Sequence, residues 1–248
     1  MDGSIGAIKM QRTADNGPQS TNIRQQVTDN IRMPQIKVCG LTRAENALEC
    51  IEFGAHAIGC VFYPKSPRYL TDNQAREICM AVSSKAVAVG VFVNDSFSFI
   101  MKKVRRCFLD AVQLHGQESP ELVCRLRREN LMVIKTLFFS SRPTFENASD
   151  YDPSAFLVEC GSGMLPGGNA TSWNWENARS LAQKRAVILA GGLTPENVTT
   201  AISQSDPDAV DVSSGVEFSP GVKDTGKVKA FIQAVSKAGH KSKTRRIF

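Results

Sequence analysis

The fold is decided by the stretch KVCGLT, residues 37–42, in which a short apolar strand ends and a helical pattern begins. Lys37 and Cys39 alternate along this strand and therefore share one of its faces. Thr42 and Glu45 match the Thr-x-x-Glu capping box that begins a helix. Cys39 is thus expected near a helix N-terminus and two residues from a cation. Both effects favour the thiolate over the thiol.

The same strand-then-helix unit recurs along the chain. The apolar runs are rich in Val, Ile, Phe and Ala and lack polar alternation, which indicates strands buried on both faces, as in parallel sheets. The predicted strands are 35–39, 57–62, 86–93, 111–114, 132–137, 155–159, 186–190 and 209–212. The clearest predicted helices are 43–53, 72–82, 97–107, 120–129, 175–184, 195–202 and 226–238.

Eight strands with interleaved helices predict an α/β fold, a single (β/α)8 TIM barrel, in preference to an open doubly wound sheet, which stays as the alternative. We expect the barrel to be a catalytic domain spanning residues 35–236. The polar segment 1–34 has no strong periodicity and is expected to be a disordered extension. Residues 237–248 form a basic tail.

The net charge of +6 comes largely from that tail, which holds five basic residues and no acidic one. Residues 35–236 carry 21 basic and 21 acidic side chains, so the body of the protein is neutral. We therefore expect the tail to be a solvated end, and we expect no nucleic-acid partner.

The seven cysteines are scattered and show no Cys-x-x-Cys spacing with paired histidines. This excludes the usual sequence patterns of a zinc site and of a disulfide framework. No apolar run is long enough for a membrane helix, and residues 1–34 lack the apolar core of a signal peptide. The expected location is a reducing cytoplasm, with no membrane partner.

The reactive residues of such a barrel lie at the C-terminal ends of its strands. The loops after the seventh and eighth predicted strands combine glycines with small residues, which lets backbone N–H groups approach an anion closely. They predict a phosphate site, although a tight turn is the simpler reading of one Gly-Gly pair. The residues of this expected site are Gly191, Gly192, Ser213, Ser214 and Gly215.

Six motifs follow one another at the expected strand ends: KVCGLT at 37–42, SPR at 66–68, GVFVN at 90–94, VQLHG at 112–116, LAGGL at 189–193 and DVSSGVE at 211–217. In this order they resemble the phosphoribosylanthranilate isomerase family of tryptophan biosynthesis. The resemblance covers residues 35–235. It is specific because the motifs occur together, since Gly-Gly or Ser-Pro-Arg alone would mean little.

The resemblance implies an Amadori rearrangement of N-(5-phosphoribosyl)anthranilate to 1-(2-carboxyphenylamino)-1-deoxyribulose 5-phosphate, a phosphosugar substrate, with no cofactor and no metal. A general acid opens the ribose ring, and a general base then removes the proton from C2. Cys39 matches the family's base, a role that the strand-end argument also favours over that of a buried structural cysteine. Glu159 stands where the family usually has an aspartate acid; its alternative role is an ion-pair partner.

Further roles are implied for binding residues. Arg68 resembles the arginine that holds the anthranilate carboxylate, for which its planar, permanently charged fork is suited. Gln113, His115 and Asp211 are expected to line the pocket without performing a chemical step. The loop after the sixth strand departs from the family's Gly-Gly-Thr-Gly-Lys-like pattern and reads GGNAT at 167–171. Gly168 and Asn169 remain candidates for phosphate binding there, without a lysine charge.

Other functions stay open. Ribulose-phosphate epimerases would require metal-binding His and Asp at several strand ends, and indole-glycerol-phosphate synthases would have lysines and glutamates in place of Cys39. A bifunctional tryptophan and histidine isomerase would carry an aspartate there. An alternative from another class is a noncatalytic phosphate-binding barrel that docks a partner through its basic tail. Contact with neighbouring tryptophan-pathway enzymes is also left open.

Overall fold

The computed structural model describes residues 33–161, 173–238 and 244–248. Eight parallel strands close into a barrel in chain order, which confirms the predicted TIM barrel and rules out the open sheet. Closure is made by pairing of the first and last strands, with Lys37 opposite Asp211. The strands are β1 Gln35–Cys39, β2 Ala57–Val61, β3 Val87–Phe92, β4 Ala111–Leu114, β5 Met132–Phe138, β6 Ala155–Glu159, β7 Val187–Leu189 and β8 Ala209–Val212.

Helices cover the outside of the barrel between consecutive strands. They are α1 Ala44–Glu52, α2 Asp72–Val82, α3 Phe97–Cys107, α4 Pro120–Arg128, α5 Arg179–Lys184, α6 Val198–Ser205 and α7 Thr225–Lys237. The fifth connection contains a 3-10 helix, Phe145–Asp150, and two more 3-10 turns are Trp175–Ala178 and Ser214–Val216. A short hairpin of β9 Glu217–Ser219 and β10 Val222–Lys223 lies between β8 and α7.

Some helix starts differ from the prediction. The capping box of Thr42 is absent, because α1 begins at Ala44 after Arg43, and the Thr42 hydroxyl instead donates to the Gly221 carbonyl at 2.6 Å. The helix predicted from residue 195 begins only at Val198, and the helix predicted from residue 175 opens with a 3-10 turn, so that α5 begins at Arg179.

The barrel interior has an apolar group at each end and a polar layer between them. At the N-terminal end, small and branched side chains that open the strands fill the lumen, among them Ala57, Ala111 and Ala209. The C-terminal end of the lumen carries Cys39, Val61 and Val91. A polar layer that includes Lys37 and Asp211 separates these two apolar groups.

Residues 244–248 pack against the N-terminal end of the barrel, so the expectation of a solvated tail is wrong for this part. Ile247 and Phe248 are buried in the lumen cluster, and their amides donate to Gln35 Oε1 at 2.6 and 3.0 Å. Arg245 pairs with Asp208 at 3.2 Å. The two apolar residues explain the docking, because burial removes their surface from water. The predicted extension 1–34 lies outside the described residues except for its last two positions.

Candidate active site

Cys39 ends β1 at the C-terminal rim, as predicted, and is only 8% exposed. Its sulfur lies against β2 at a glycine, where a Cβ on Gly59 would come within 2.5 Å of Sγ. The missing side chain therefore makes room for the thiol inside the lumen. Cys39 is held within the barrel rather than presented on the outer surface.

The charges around Cys39 do not make the thiolate its preferred form in the free protein. Burial raises the pKa of the Cys39 thiol, and although Lys37 favours the thiolate, Asp211 opposes it. Lys37 is fully buried and its Nζ lies 2.9 Å from Asp211 Oδ1, so much of its positive charge is already compensated. The predicted contribution of a helix N-terminus is also weakened, because α1 begins only at Ala44. The expected activation of the thiol is thus corrected to a buried thiol with a raised pKa.

Glu159 ends β6 at the same rim and contacts the predicted pocket residue His115. Its Oε1 lies 3.2 Å from His115 Nε2, and both side chains are buried. The other ring nitrogen of His115 lies 2.8 Å from Gln113 Nε2 and 3.0 Å from Thr136 Oγ1. When the Gln113 amide donates to Nδ1, the imidazole carries its N–H at Nε2. This N–H then donates a hydrogen bond to Glu159. The imidazole therefore fixes the direction of the carboxyl group.

Arg68 lies at the rim after β2 and is paired with Glu217, a residue that the sequence reasoning did not select. Arg68 Nε and Nη2 donate to the two Glu217 oxygens at 2.8 and 2.6 Å. Lys223 Nζ lies 2.8 Å from Glu217 Oε1. These contacts outweigh burial and lower the pKa of Glu217, while the hydrogen bonds to Glu217 raise the pKa of Arg68. Two cations thus surround one carboxylate, which leaves a net positive group.

The first strand end is tied to the last by Gly40 and Ser213. Gly40 has φ of +75°, and a side chain there would collide with Arg68 Cδ. The Ser213 hydroxyl, predicted to bind phosphate, donates to the Cys39 carbonyl at 3.0 Å. This hydrogen bond ties the Ser213 side chain to the Cys39 turn, and its role in phosphate binding stays a prediction.

The two glycine-containing loops stand where the sequence predicted them. Gly191 and Gly192 follow β7 with φ of +87° and +67°, and Ser214 and Gly215 follow β8. Gly215 packs directly against the Leu193 carbonyl, so the two loops touch. Within the described residues, no acceptor receives the amide N–H of Gly191 or Gly192. Gly168 and Asn169 lie outside the described part of the chain.

Two tryptophans that the sequence reasoning did not select hold the loop after β7. Trp173 Nε1 donates to the Ala190 carbonyl at 3.0 Å, and Trp175 Nε1 donates to the Gly191 carbonyl at 3.3 Å. The only available signal was that these are the chain's two tryptophans, separated by one residue. Glu217 could have been noted as the end of the DVSSGVE motif, whereas no local pattern marks Lys223.

In residues 33–161, 173–238 and 244–248, no three His, Cys, Asp or Glu side chains are grouped as a metal site would require. Over the same ranges, no helix combines the length and the apolar character needed to cross a membrane.

The fold and the rim define a (β/α)8 barrel with a buried thiol, a carboxyl–imidazole pair and two glycine loops at its catalytic end. The family model of N-(5'phosphoribosyl)anthranilate (PRA) isomerase matches residues 36–234. A relative named N-(5'-phosphoribosyl)anthranilate isomerase, from Desulfatibacillum aliphaticivorans, is 51% identical over 86% of this chain and 98% of its own length. The chain belongs to the phosphoribosylanthranilate isomerase family.

Solved structures agree with this assignment. Phosphoribosyl anthranilate isomerase from Thermotoga maritima is 40% identical, with a TM-score of 0.75 over 82% of this chain and 98% of that chain. A second structure of such an isomerase, in complex with reduced 1-(o-carboxyphenylamino)-1-deoxyribulose 5-phosphate, is 40% identical with a TM-score of 0.71 and the same coverage. The predicted family, its isomerase activity and its place in tryptophan biosynthesis are confirmed.

Proposed function

We propose that the chain converts N-(5-phosphoribosyl)anthranilate to 1-(2-carboxyphenylamino)-1-deoxyribulose 5-phosphate with Glu159 as general acid and Cys39 as general base. The observation that carries this proposal is that both residues end strands of one closed barrel at the same rim and are buried there. The solved isomerase with a bound reduced product supports the same substrate class. The phosphosugar is therefore the small molecule that this rim receives.

Glu159 supplies the first proton. In its protonated form it donates to the ribose ring oxygen, the C1–O bond breaks, and the aniline nitrogen stabilises the open chain as a Schiff base. The contact between Glu159 and His115 holds the carboxyl group in one orientation. A fixed carboxyl is important because proton transfer requires hydrogen-bond reach to the reacting oxygen.

Cys39 completes the rearrangement. As the thiolate it removes the proton from C2, which the cationic Schiff base has made acidic, and the resulting enolamine tautomerises to the ketone. The product is an isomer, so no atom is gained or lost. Because the thiol is favoured in the free protein, only the minor thiolate fraction performs this step at neutral pH.

Different groups of the rim bind different parts of the substrate. Arg68 and Lys223 provide the positive charge for the anthranilate carboxylate, and Glu217 fixes their positions. The loops after β7 and β8 provide backbone N–H groups for the phosphate. Gly168 and Asn169 are proposed to add contacts from the loop after β6. Gln113 and Asp211 line the pocket without a chemical step.

The proposed function is tested by complementation of a tryptophan auxotroph that lacks only this isomerase step, together with the loss of anthranilate-derivative fluorescence in vitro. Cys39→Ala and Glu159→Gln should each lower kcat by at least about a hundredfold, since each removes one acid–base group. Thermal unfolding should stay close to that of the wild type. Normal turnover in either variant would contradict the role of that residue.

The alternative of a noncatalytic docking module loses support from the tail, because residues 244–248 pack against the barrel.

We further propose that the protein is cytoplasmic. We also propose that it contacts neighbouring enzymes of the tryptophan pathway. Co-purification of those enzymes with the full chain is the measurement that tests such a contact.

A further inference from the structure

The indole rings of two tryptophans lie beside the loop after β7. Their hydrogen bonds to this loop point to a role in phosphate binding, which is separate from the roles of the general acid and base. Trp173 and Trp175 are the only tryptophans of the chain, and each donates its N–H to a carbonyl of consecutive residues, Ala190 and Gly191. These two carbonyls belong to the peptide units whose N–H groups are those of Gly191 and Gly192. The indoles therefore act directly on the loop expected to bind phosphate.

Because of peptide geometry, the contacts to these two carbonyl groups also fix the direction of the adjacent amide N–H groups. In a planar trans peptide the C=O and the N–H point in opposite directions. Holding the Ala190 and Gly191 carbonyls against the indoles turns the N–H groups of Gly191 and Gly192 away from them. No described residue accepts a hydrogen bond from either amide, so both are free to meet an anion.

The indole of Trp173 is itself fixed by its neighbours. It stacks on Phe139 at a centroid distance of 5.7 Å and meets the edge of Phe145 at 5.6 Å. Gly191 is needed for this approach, since a Cβ there would lie 2.9 Å from Trp173 Nε1. The donor is therefore held by the packing of the protein itself, which reduces the cost of organising the loop on binding.

We propose that Trp173 and Trp175 are positioning residues that aim the Gly191 and Gly192 amides at the phosphate of the substrate. The proposal rests on the proposed function, because it deepens the phosphate site of the same rim. According to this proposal, the group that orients the loop is the indole N–H and not the aromatic ring. The stronger effect belongs to Trp173, whose hydrogen bond is the shorter.

Trp173→Phe tests this, because it keeps an aromatic ring between Phe139 and Phe145 and removes only the donor. The KM of the phosphosugar and the inhibition constant of inorganic phosphate should both rise, between about twofold and tenfold, as expected for one hydrogen bond. The kcat should stay within about twofold. Free anthranilate, which has no phosphate, should inhibit the variant and the wild type equally. Trp175→Phe should shift the same constants less.

Phe145→Leu is the matched control, since it disturbs the ring packing but leaves both indole donors in the chain. A smaller rise in KM is expected from it than from Trp173→Phe. An unchanged phosphate constant in Trp173→Phe, or equal weakening of phosphate and anthranilate, would overturn the proposal. Direct titration with inorganic phosphate, followed by the amide NMR signals of Gly191 and Gly192, needs no turnover. It therefore separates failure of this proposal from failure of the proposed isomerase reaction.

Discussion

Cys39 lies between groups of both charges, and its burial decides its protonation in the free protein. Because a base must be deprotonated to act, and because burial raises the pKa of Cys39, the rate should be limited by thiolate at neutral pH. We expect kcat/KM to rise as the pH increases from about 7 to about 9. This interval extends across and beyond the usual pKa of a free thiol. Initial rates measured across this range test the expectation.

Cys39→Ala is the control for this pH profile, since its residual rate should lack the rising limb. A flat wild-type profile over the same range would contradict the assignment of a raised pKa to the catalytic base. The fluorescence of unchanged substrate must be calibrated at each pH, so that only turnover is compared.

Glu159 is one methylene longer than the aspartate of the family pattern that the sequence resembles, and its Oε1 lies 3.2 Å from His115 Nε2. Glu159→Asp should lower kcat by between about tenfold and a hundredfold, because a displacement near 1 Å can cost that much in a proton transfer. Glu159→Gln, which cannot donate the proton, should lose more. A kcat for Glu159→Asp equal to that of the wild type would show that the chemistry does not depend on the reach of the longer side chain.

The hairpin of β9 and β10 supports the rim, since it places Glu217 against Arg68 and Lys223 against Glu217. Arg68→Lys should raise KM by about tenfold with kcat within about threefold, because an ammonium cannot bind Glu217 through two nitrogens and also present a further donor. Steady-state kinetics separate the two constants. Lys65→Gln, at an exposed position of the same loop, is the control and should change neither. An unchanged KM for Arg68→Lys would contradict the carboxylate contact.

At the level of elements, the strands were predictable and several helix starts were not. The apolar runs set the strand positions because all eight strands are buried, so composition alone marks them. Thr42 instead bonds a carbonyl 179 positions away, a contact that no local pattern encodes. The pairing of Arg68 with Glu217 is non-local in the same way. Motifs thus located the site, whereas the protonation of Cys39 required knowledge of its surroundings.

The whole molecule places its reactive groups and its tail at opposite ends of the barrel. Cys39 and Glu159 end strands, while Ile247 and Phe248 pack among residues that begin them, such as Ala57 and Ala209. Contributions to catalysis and to this part of the stability are therefore separable. The described part of the tail is held by its two apolar residues and by the pair of Arg245 with Asp208, so its charge alone does not describe it.

Phe248→Ala tests this separation. Loss of its buried ring should lower the free energy of unfolding by about 1 to 3 kcal/mol, less than for a central core position because the neighbouring chain can adjust. The kcat and KM should not change, since the catalytic rim is at the other end. Urea unfolding and steady-state kinetics on the same preparation measure both. Arg246→Ala, at an exposed position, removes a tail charge and should leave stability within about 0.5 kcal/mol. If Arg246→Ala were the more destabilising variant, charge rather than apolar burial would hold the tail on the barrel.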